Sequence, residues 1–286
     1  MMQGMVYRVG KLFPRAISIR HRLFVVLFCI CLATSVGINL VWLPGALQDI
    51  RNGQADLQRA MVYSIRDRIQ FILEARQDDL TIQAKLTRAT FLVGDQEALQ
   101  QLTYRFLQHE RHFGEIGIVD ADGRERHRIS RFLAITDGDL TDRSEAPFYA
   151  AAMRGEVYWG PVTTSETSEP EVTLAVPLEG PNASRIGVIY GVFNLKSLWE
   201  VVGSVGLHHG GRAYVVDHLG HLIAADDPNL VRKQLSFADR PLIQDLKSQR
   251  GDAAAPIHGS YVNEDGIKVM ATGLSLPQTG WGVVVQ

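Results

Sequence analysis

The chain has 286 residues, 46% hydrophobic and 21% charged, the proportions of a folded protein with one large or two small cores. Its 29 basic residues include five in 1–22 (Arg8, Lys11, Arg15, Arg20, Arg22), where none of its 31 acidic residues lies, so the remainder carries a net charge of −7. An acidic body repels a phosphate backbone, which argues against nucleic acid as a partner. Both cysteines, Cys29 and Cys31, sit in one apolar run, so no disulfide, thiolate zinc site or cysteine nucleophile is available downstream.

That run, 23–43, holds no charged residue. At about 1.5 Å per residue it would reach roughly 30 Å, so a transmembrane helix is expected there. It is longer than the apolar core of a cleaved signal peptide. The basic segment 1–22 is expected to stay cytoplasmic, with the rest of the chain carried outside the cell membrane. Over 44–113 a long helical region follows. Leu47, Ile50, Leu57, Met61, Ile65, Ile69, Ile72, Leu73 and Leu80 recur at helical spacing. Gly94-Asp95 should close this helix, with Asp95 capping a second one that carries Leu99, Leu102, Phe106 and Leu107.

From Gly114 the period shifts towards two. GEIGIVDADGRERHRIS, VYWGPVTT, EVTLAVPL and RIGVIYGVFNL read as strands, and a helix over 195–205 joins them to a second series. That series is RAYVVDHLGHLIAAD, APIHGSYVNE, GIKVMATGLSL and GWGVVVQ. Val119-Asp120-Ala-Asp-Gly123 recurs as Val216-Asp217-His-Leu-Gly220, V-D-x-x-G between two apolar runs. Asp at the first turn position and Gly at the fourth suit a tight turn, and the recurrence predicts one α+β unit used twice.

The residues GEIGIVDADGRERHRISR, DRSEAPFYAAAMRGEVYWGPV, SEPEVTLAVPL, GVFNLKSLWEVVGSV, GGRAYVVDHLGHLIAADDPNLVRKQL and TGWGVVVQ together resemble the double Cache sensor family. Members occur in bacterial adenylate or guanylate cyclases, histidine kinases and chemoreceptors. The resemblance covers about 44–286. It implies two tandem PAS-like antiparallel-sheet subdomains behind a long helix, a membrane-distal one (114–200) that binds ligand and a membrane-proximal one (201–286) that relays. Neither catalysis by this chain nor a cofactor is expected. In the amino-acid-binding branch an Arg-x-Trp-Tyr element and a later Asp hold the ligand. Here the Arg position falls on Ala146, the Trp on Phe148 and the later Asp near Val192, while Tyr149 is kept. An α-amino acid would therefore miss both charged partners. Such receptors continue into a second span and an output domain, and this chain stops at Gln286, inside the expected last strand.

Arg124 to Arg131 holds four arginines. Alternation places Arg126, Arg128 and Ser130 on one strand face and His127, Ile129 and Arg131 on the other. They read either as a clamp for an anionic group or as a solvated strand with ion pairs. By the resemblance Arg128 and Arg131 are the ligand candidates. Tyr149, Tyr158 and Trp159 offer flat apolar walls with one polar handle, for a pocket or for a core. Thr173 and Asn194 fall on strands of the expected pocket floor. His208-His209 reads better as a solvated loop than as a metal site, and no metal is expected.

Sequence motifs for nucleophilic elbows, phosphate loops and zinc proteases are absent, so no catalytic residue is assigned. The expectation is a small-molecule sensor module of a transmembrane receptor, homodimeric through its N-terminal helix, whose output would be a nucleotide cyclase or a histidine kinase. A membrane-anchored binding or adaptor protein without its own output is the alternative.

Overall fold

The computed structural model describes the backbone of residues 19–165, 169–209, 212–249 and 255–286, and their side chains except those of 19–22, 36–52 and 205–209. The chain divides into two compact units, Met1–Asp56 and Leu57–Gln286.

In the first unit the side chains of 23–35 are exposed on helix α1 (Ile19–Val93). The expectation of a transmembrane helix over 23–43 is corrected: among the described residues no helix is long and apolar enough to cross a membrane. Crossing bilayer hydrocarbon takes about 20 consecutive apolar residues on one helix, and no such stretch occurs among the described residues. The single-pass placement in the cell membrane, with a cytoplasmic N-terminus, rested on that span and is corrected with it. Most of the basic segment, 1–18, and the side chains of 36–43 lie outside the described residues.

In the second unit α1 buries Val62, Ile65, Ile69, Leu73, Leu80 and Ala84, one stripe at steps of three, four and seven. Gly94 follows the last turn with φ +75°, and its N–H donates to the Thr90 carbonyl, closing the helix. Helix α2 (Gln96–His109) starts at once, with Asp95 Oδ1 accepting from the Ala98 N–H at 3.0 Å.

Two five-stranded antiparallel sheets follow. The first contains β1 (Phe113–Asp120), β2 (Glu125–Ser130), β3 (Tyr158–Thr164), β4 (Pro170–Glu179) and β5 (Arg185–Asn194), in the order β2-β1-β5-β4-β3. Helix α3 (Pro147–Met153) precedes β3, and α4 (Lys196–His209) leads out. The second contains β6 (Ala213–Val216), β7 (Leu222–Ala225), β8 (Ile257–Val262), β9 (Lys268–Ser275) and β10 (Gly282–Val285), in the order β7-β6-β10-β9-β8. Helices α5 (Pro228–Arg232) and α6 (Pro241–Ser248) lie between β7 and β8. The two orders are the same permutation, so the sheets are two copies of one PAS-like topology.

The repeated turn explains the copy at atomic level. Asp120 Oδ1 accepts from the N–H groups of Asp122 and Arg124 at 2.9 and 3.0 Å; Asp217 Oδ1 accepts from those of Leu219 and His221, both at 2.8 Å. Gly123 and Gly220 take φ +85° and +95°, which a side chain would strain. One face of each sheet packs on α1. Ile116, Ile118, Leu174, Ile189 and Phe193 from the first, and Val215, Leu274, Trp281 and Val283 from the second, join Ile65, Ile69, Leu73 and Leu80 in one core. At about 1.5–3 kcal/mol per buried large side chain, this shared core is what ties the two sheets to the helix.

Candidate ligand-binding cavity

The other face of the first sheet is where chemistry collects. Period two carries Glu115, Gly117 and Val119 of β1 there, with Glu171, Thr173 and Ala175 of β4 and Val188, Tyr190, Val192 and Asn194 of β5. Helix α3 covers its upper half. Phe148, Tyr149, Ala152 and Met153 pack with Val119, Ala175, Val188, Tyr190 and Tyr158. Tyr190 crosses the sheet over Gly117, where a Cβ would overlap its ring.

At the β2 edge a buried ion cluster locks this half. The Glu125 carboxylate accepts from Tyr190 Oη at 2.6 Å, Arg143 Nε at 2.8 Å and the Thr141 N–H at 2.9 Å. Burial alone would raise the Glu125 pKa, but these bonds outweigh it and hold the group below the ordinary carboxylate value. The Tyr190 hydroxyl is pushed well up, by burial first and then by Glu125.

The lower half is open. A cavity of about 300 Å³ is lined there by Glu115, Glu169, Glu171, Val192, Asn194 and Phe132, with Leu133, Gly114, Ser130, Thr164 and Ser165. Phe132 and Leu133 are large apolar side chains left 71% and 51% exposed at its edge. Burial raises the pKa of Glu115, with Arg128 opposing; burial raises that of Glu171, with Glu169 and Glu115 adding to it. Glu169 is held low, first by the hydrogen bond from Lys196.

The structure brings some of the seven residues read from the sequence to this face and not others. Asn194 lines the cavity and donates to Glu169 Oε2 at 2.6 Å. Thr173 shares its face, two residues from Glu171, and Tyr158 sits opposite Ala175 under α3. Tyr149 lies on α3, its hydroxyl donating to the Ala121 carbonyl at 2.6 Å. Arg128 lies on the cavity side of β2, 4.0 Å from Glu115 and 3.7 Å from Glu125, and donates to the Asp139 carbonyl at 2.6 Å. Arg131 lies past the end of β2 and donates to the carbonyls of Phe113 and Glu110, so its guanidinium ties loops together. Trp159, paired with Leu174, faces α1 and the core. His208 and His209 end α4 rather than lying in a loop; their side chains fall outside the described residues. No cluster that could hold a metal occurs among the described residues.

Sequence reasoning missed the carboxylates. Glu115 inside an apolar strand, and Glu171 two residues before Thr173, were the available signals: an acid in phase with an inward face. The corresponding face of the second sheet is filled instead. Tyr214 takes the register position of Gly117, and Arg240 stacks on Phe237, Tyr261 and Tyr214, with 3.5, 4.5 and 5.5 Å from guanidinium carbon to ring centre. Arg240 also donates to Tyr214 Oη and to Glu264. This internal cation occupies the place a ligand would take.

Two copies of one PAS-like sheet on a long helix, one with an open cavity and one closed, define a tandem sensory domain. A family model for the Cache domain (dCache_1) matches residues 46–286, and the chain belongs to that family. It is a Cache sensory module rather than a catalytic one, homologous to the sensory domains of chemoreceptors and histidine kinases. The methyl-accepting chemotaxis protein McpA of Pseudomonas putida is 26% identical over 132 residues, 42% of this chain and 20% of that protein, so the chain spans about a fifth of this curated relative. The sensory domain of the Campylobacter jejuni chemoreceptor Tlp3 with isoleucine bound superposes with a TM-score of 0.64 at 11% identity, covering 83% of this chain and 94% of that one. The ligand-binding domain of the Pseudomonas aeruginosa amino acid chemoreceptor PctC, in complex with GABA, gives 0.54 at 18% identity, covering 82% and 97%. At these identities the superpositions establish shared fold.

Proposed function

We propose that the chain is the sensing part of a signal-transduction receptor, that the subdomain over 114–200 takes a small metabolite in the cavity, and that the subdomain over 201–286 relays its occupancy. The single observation that carries this is the asymmetry between the copies: about 300 Å³ open on the first sheet, about 10 Å³ left beside the Arg240 cage on the second. Isoleucine-bound Tlp3 and GABA-bound PctC, with their shared fold, support a small ligand here. Of the seven residues read from the sequence, Asn194 and Thr173 are assigned to the cavity floor and Arg128 to its edge. Tyr149 on α3 and Tyr158 on the strand beneath it are assigned to the wall, while Trp159 and Arg131 act by supporting the sheet and its loops. A ligand that prefers one arrangement of the sheet against α1 shifts the population of that arrangement. The output it biases is a nucleotide cyclase, a histidine kinase or a chemotaxis signalling domain.

The test is a thermal-shift screen of the full chain against amino acids, organic acids, amines and nucleobases. A ligand at 100 times its dissociation constant should add about 2.7 kcal/mol to stability. Silence across the whole panel would overturn the metabolite reading.

The same receptor is proposed to be a homodimer through α1. Phe71, Ile82, Leu86 and Val93 form an exposed apolar stripe at steps of eleven, four and seven on the helix side away from the core. A second copy of the helix covers such a stripe by the same spacing.

A further inference from the structure

The cavity's charge is one-sided. Among the described residues its lining holds three carboxylates and neither lysine nor arginine. Glu169 is satisfied, with Lys196 Nζ at 3.0 Å and Asn194 Nδ2 at 2.6 Å. Glu115 has Arg128 at 4.0 Å, beyond hydrogen-bonding distance, and that guanidinium is shared with Glu125 and the Asp139 carbonyl. The Glu171 carboxylate has no hydrogen-bond or ion-pair partner among the described residues, although it is partly buried. Phe132, Leu133 and Val192 supply the apolar part of the wall.

We infer that this cavity recognises a protonated amine carried on a short apolar body, with Glu171 and Glu115 as counter-charges and Phe132, Leu133 and Val192 around the apolar part. The inference rests on the cavity being the sensor site proposed above. A cation entering there supplies the charge that Glu171 lacks, and the contact strengthens as water leaves the partly enclosed space. An anion there would meet three like charges and, among the described residues of the lining, no cation. The upward pKa shifts of both groups, set first by burial, agree: Glu169 and Glu115 add to that of Glu171, while Arg128, Arg143 and Tyr190 offset that of Glu115 only in part. Arg111, Arg131 and Lys196 line a neighbouring cavity of about 320 Å³ and none of the three lines this one, so an anion site, if present, is the neighbouring cavity. Arg131 is bonded to two carbonyls and Lys196 to Glu169.

The test uses three isosteric probes on the full chain by calorimetric titration: 3-methylbutylamine, 3-methylbutanol and 3-methylbutanoate. The amine is expected to bind about tenfold or more tightly than the alcohol, with the carboxylate weakest. In Glu171→Gln the amine should weaken about tenfold while the alcohol is unchanged. The unmodified chain alone decides the order if that variant fails to fold. Carboxylate binding as tight as the amine, abolished by Val192→Trp, overturns the inference and leaves the sensor reading in place. Failure of all three probes also overturns it, whereas the sensor reading then rests on the wider ligand screen.

Discussion

Glu125 is the residue on which the ligand face turns. Its carboxylate is fully buried and holds Tyr190, Arg143 and the Thr141 loop at once. Glu125→Ala would leave Arg143 and the Tyr190 hydroxyl without their partner, and the expected loss is about 3 kcal/mol by chemical denaturation. The pH dependence has a definite sign. A folded-state pKa held below the ordinary 4.5 gives stability that is complete above that value and lost as pH falls through the folded pKa. Glu115 and Glu171 are shifted upward and work in the opposite sense, so the comparison is between the unmodified chain and Glu125→Gln, which share them. Urea midpoints between about pH 5 and pH 3 should fall more steeply in the unmodified chain. Equal slopes would mean that Glu125 is not held as described. Gly117→Ala tests the Tyr190 crossing: the added methyl displaces the ring and should cost about 1–3 kcal/mol.

At the scale of elements, the buried stripe of α1 and its exposed stripe make separate predictions. Ile69 is fully buried in the core to which both sheets contribute, and Ile69→Ala should lose about 2–5 kcal/mol in the melting of the second unit. Ile82→Asp with Leu86→Asp, on the outward side, should leave that melting nearly unchanged and convert a sedimenting dimer to monomer; an unaltered sedimentation coefficient would remove α1 as the dimer contact. Element identity was largely legible in the sequence because local chemistry sets it. Gly94-Asp95 had to end one helix and begin the next, and V-D-x-x-G had to turn twice. Strand faces were less legible. The register slips between Ile118 and Val119, so Glu125 comes opposite Val119 while Arg126 leaves the face of Arg128 to pair with Asp120. A bulge of that kind leaves no mark on a period-two pattern. Arg131 falls past the strand end for the same reason: alternation has no meaning beyond the last paired residue.

At the scale of the whole molecule, the sequence disclosed two copies of one unit but not that only one of them is open. That difference lies in contacts across strands and helices, Tyr214 where Gly117 stands in the first copy and Arg240 caged by Phe237 and Tyr261, which no linear spacing reveals. The span over 23–43 shows the converse: hydropathy alone read as a membrane helix, whereas no helix among the described residues is long and apolar enough to cross one. Division of labour follows from the asymmetry. Arg240→Ala should destabilise the second copy by removing its internal cation, yet leave ligand affinity unchanged, because the ligand occupies the first copy.

The most direct test of that division is a calorimetric titration of the strongest hit from the ligand screen into the unmodified chain, Val192→Trp and Arg240→Ala. The indole of Val192→Trp fills the cavity on the first sheet, and the variant is used provided that it melts cooperatively. Binding abolished in Val192→Trp and retained in Arg240→Ala is the predicted result. Binding retained in Val192→Trp would place the ligand elsewhere and contradict the assignment of the cavity.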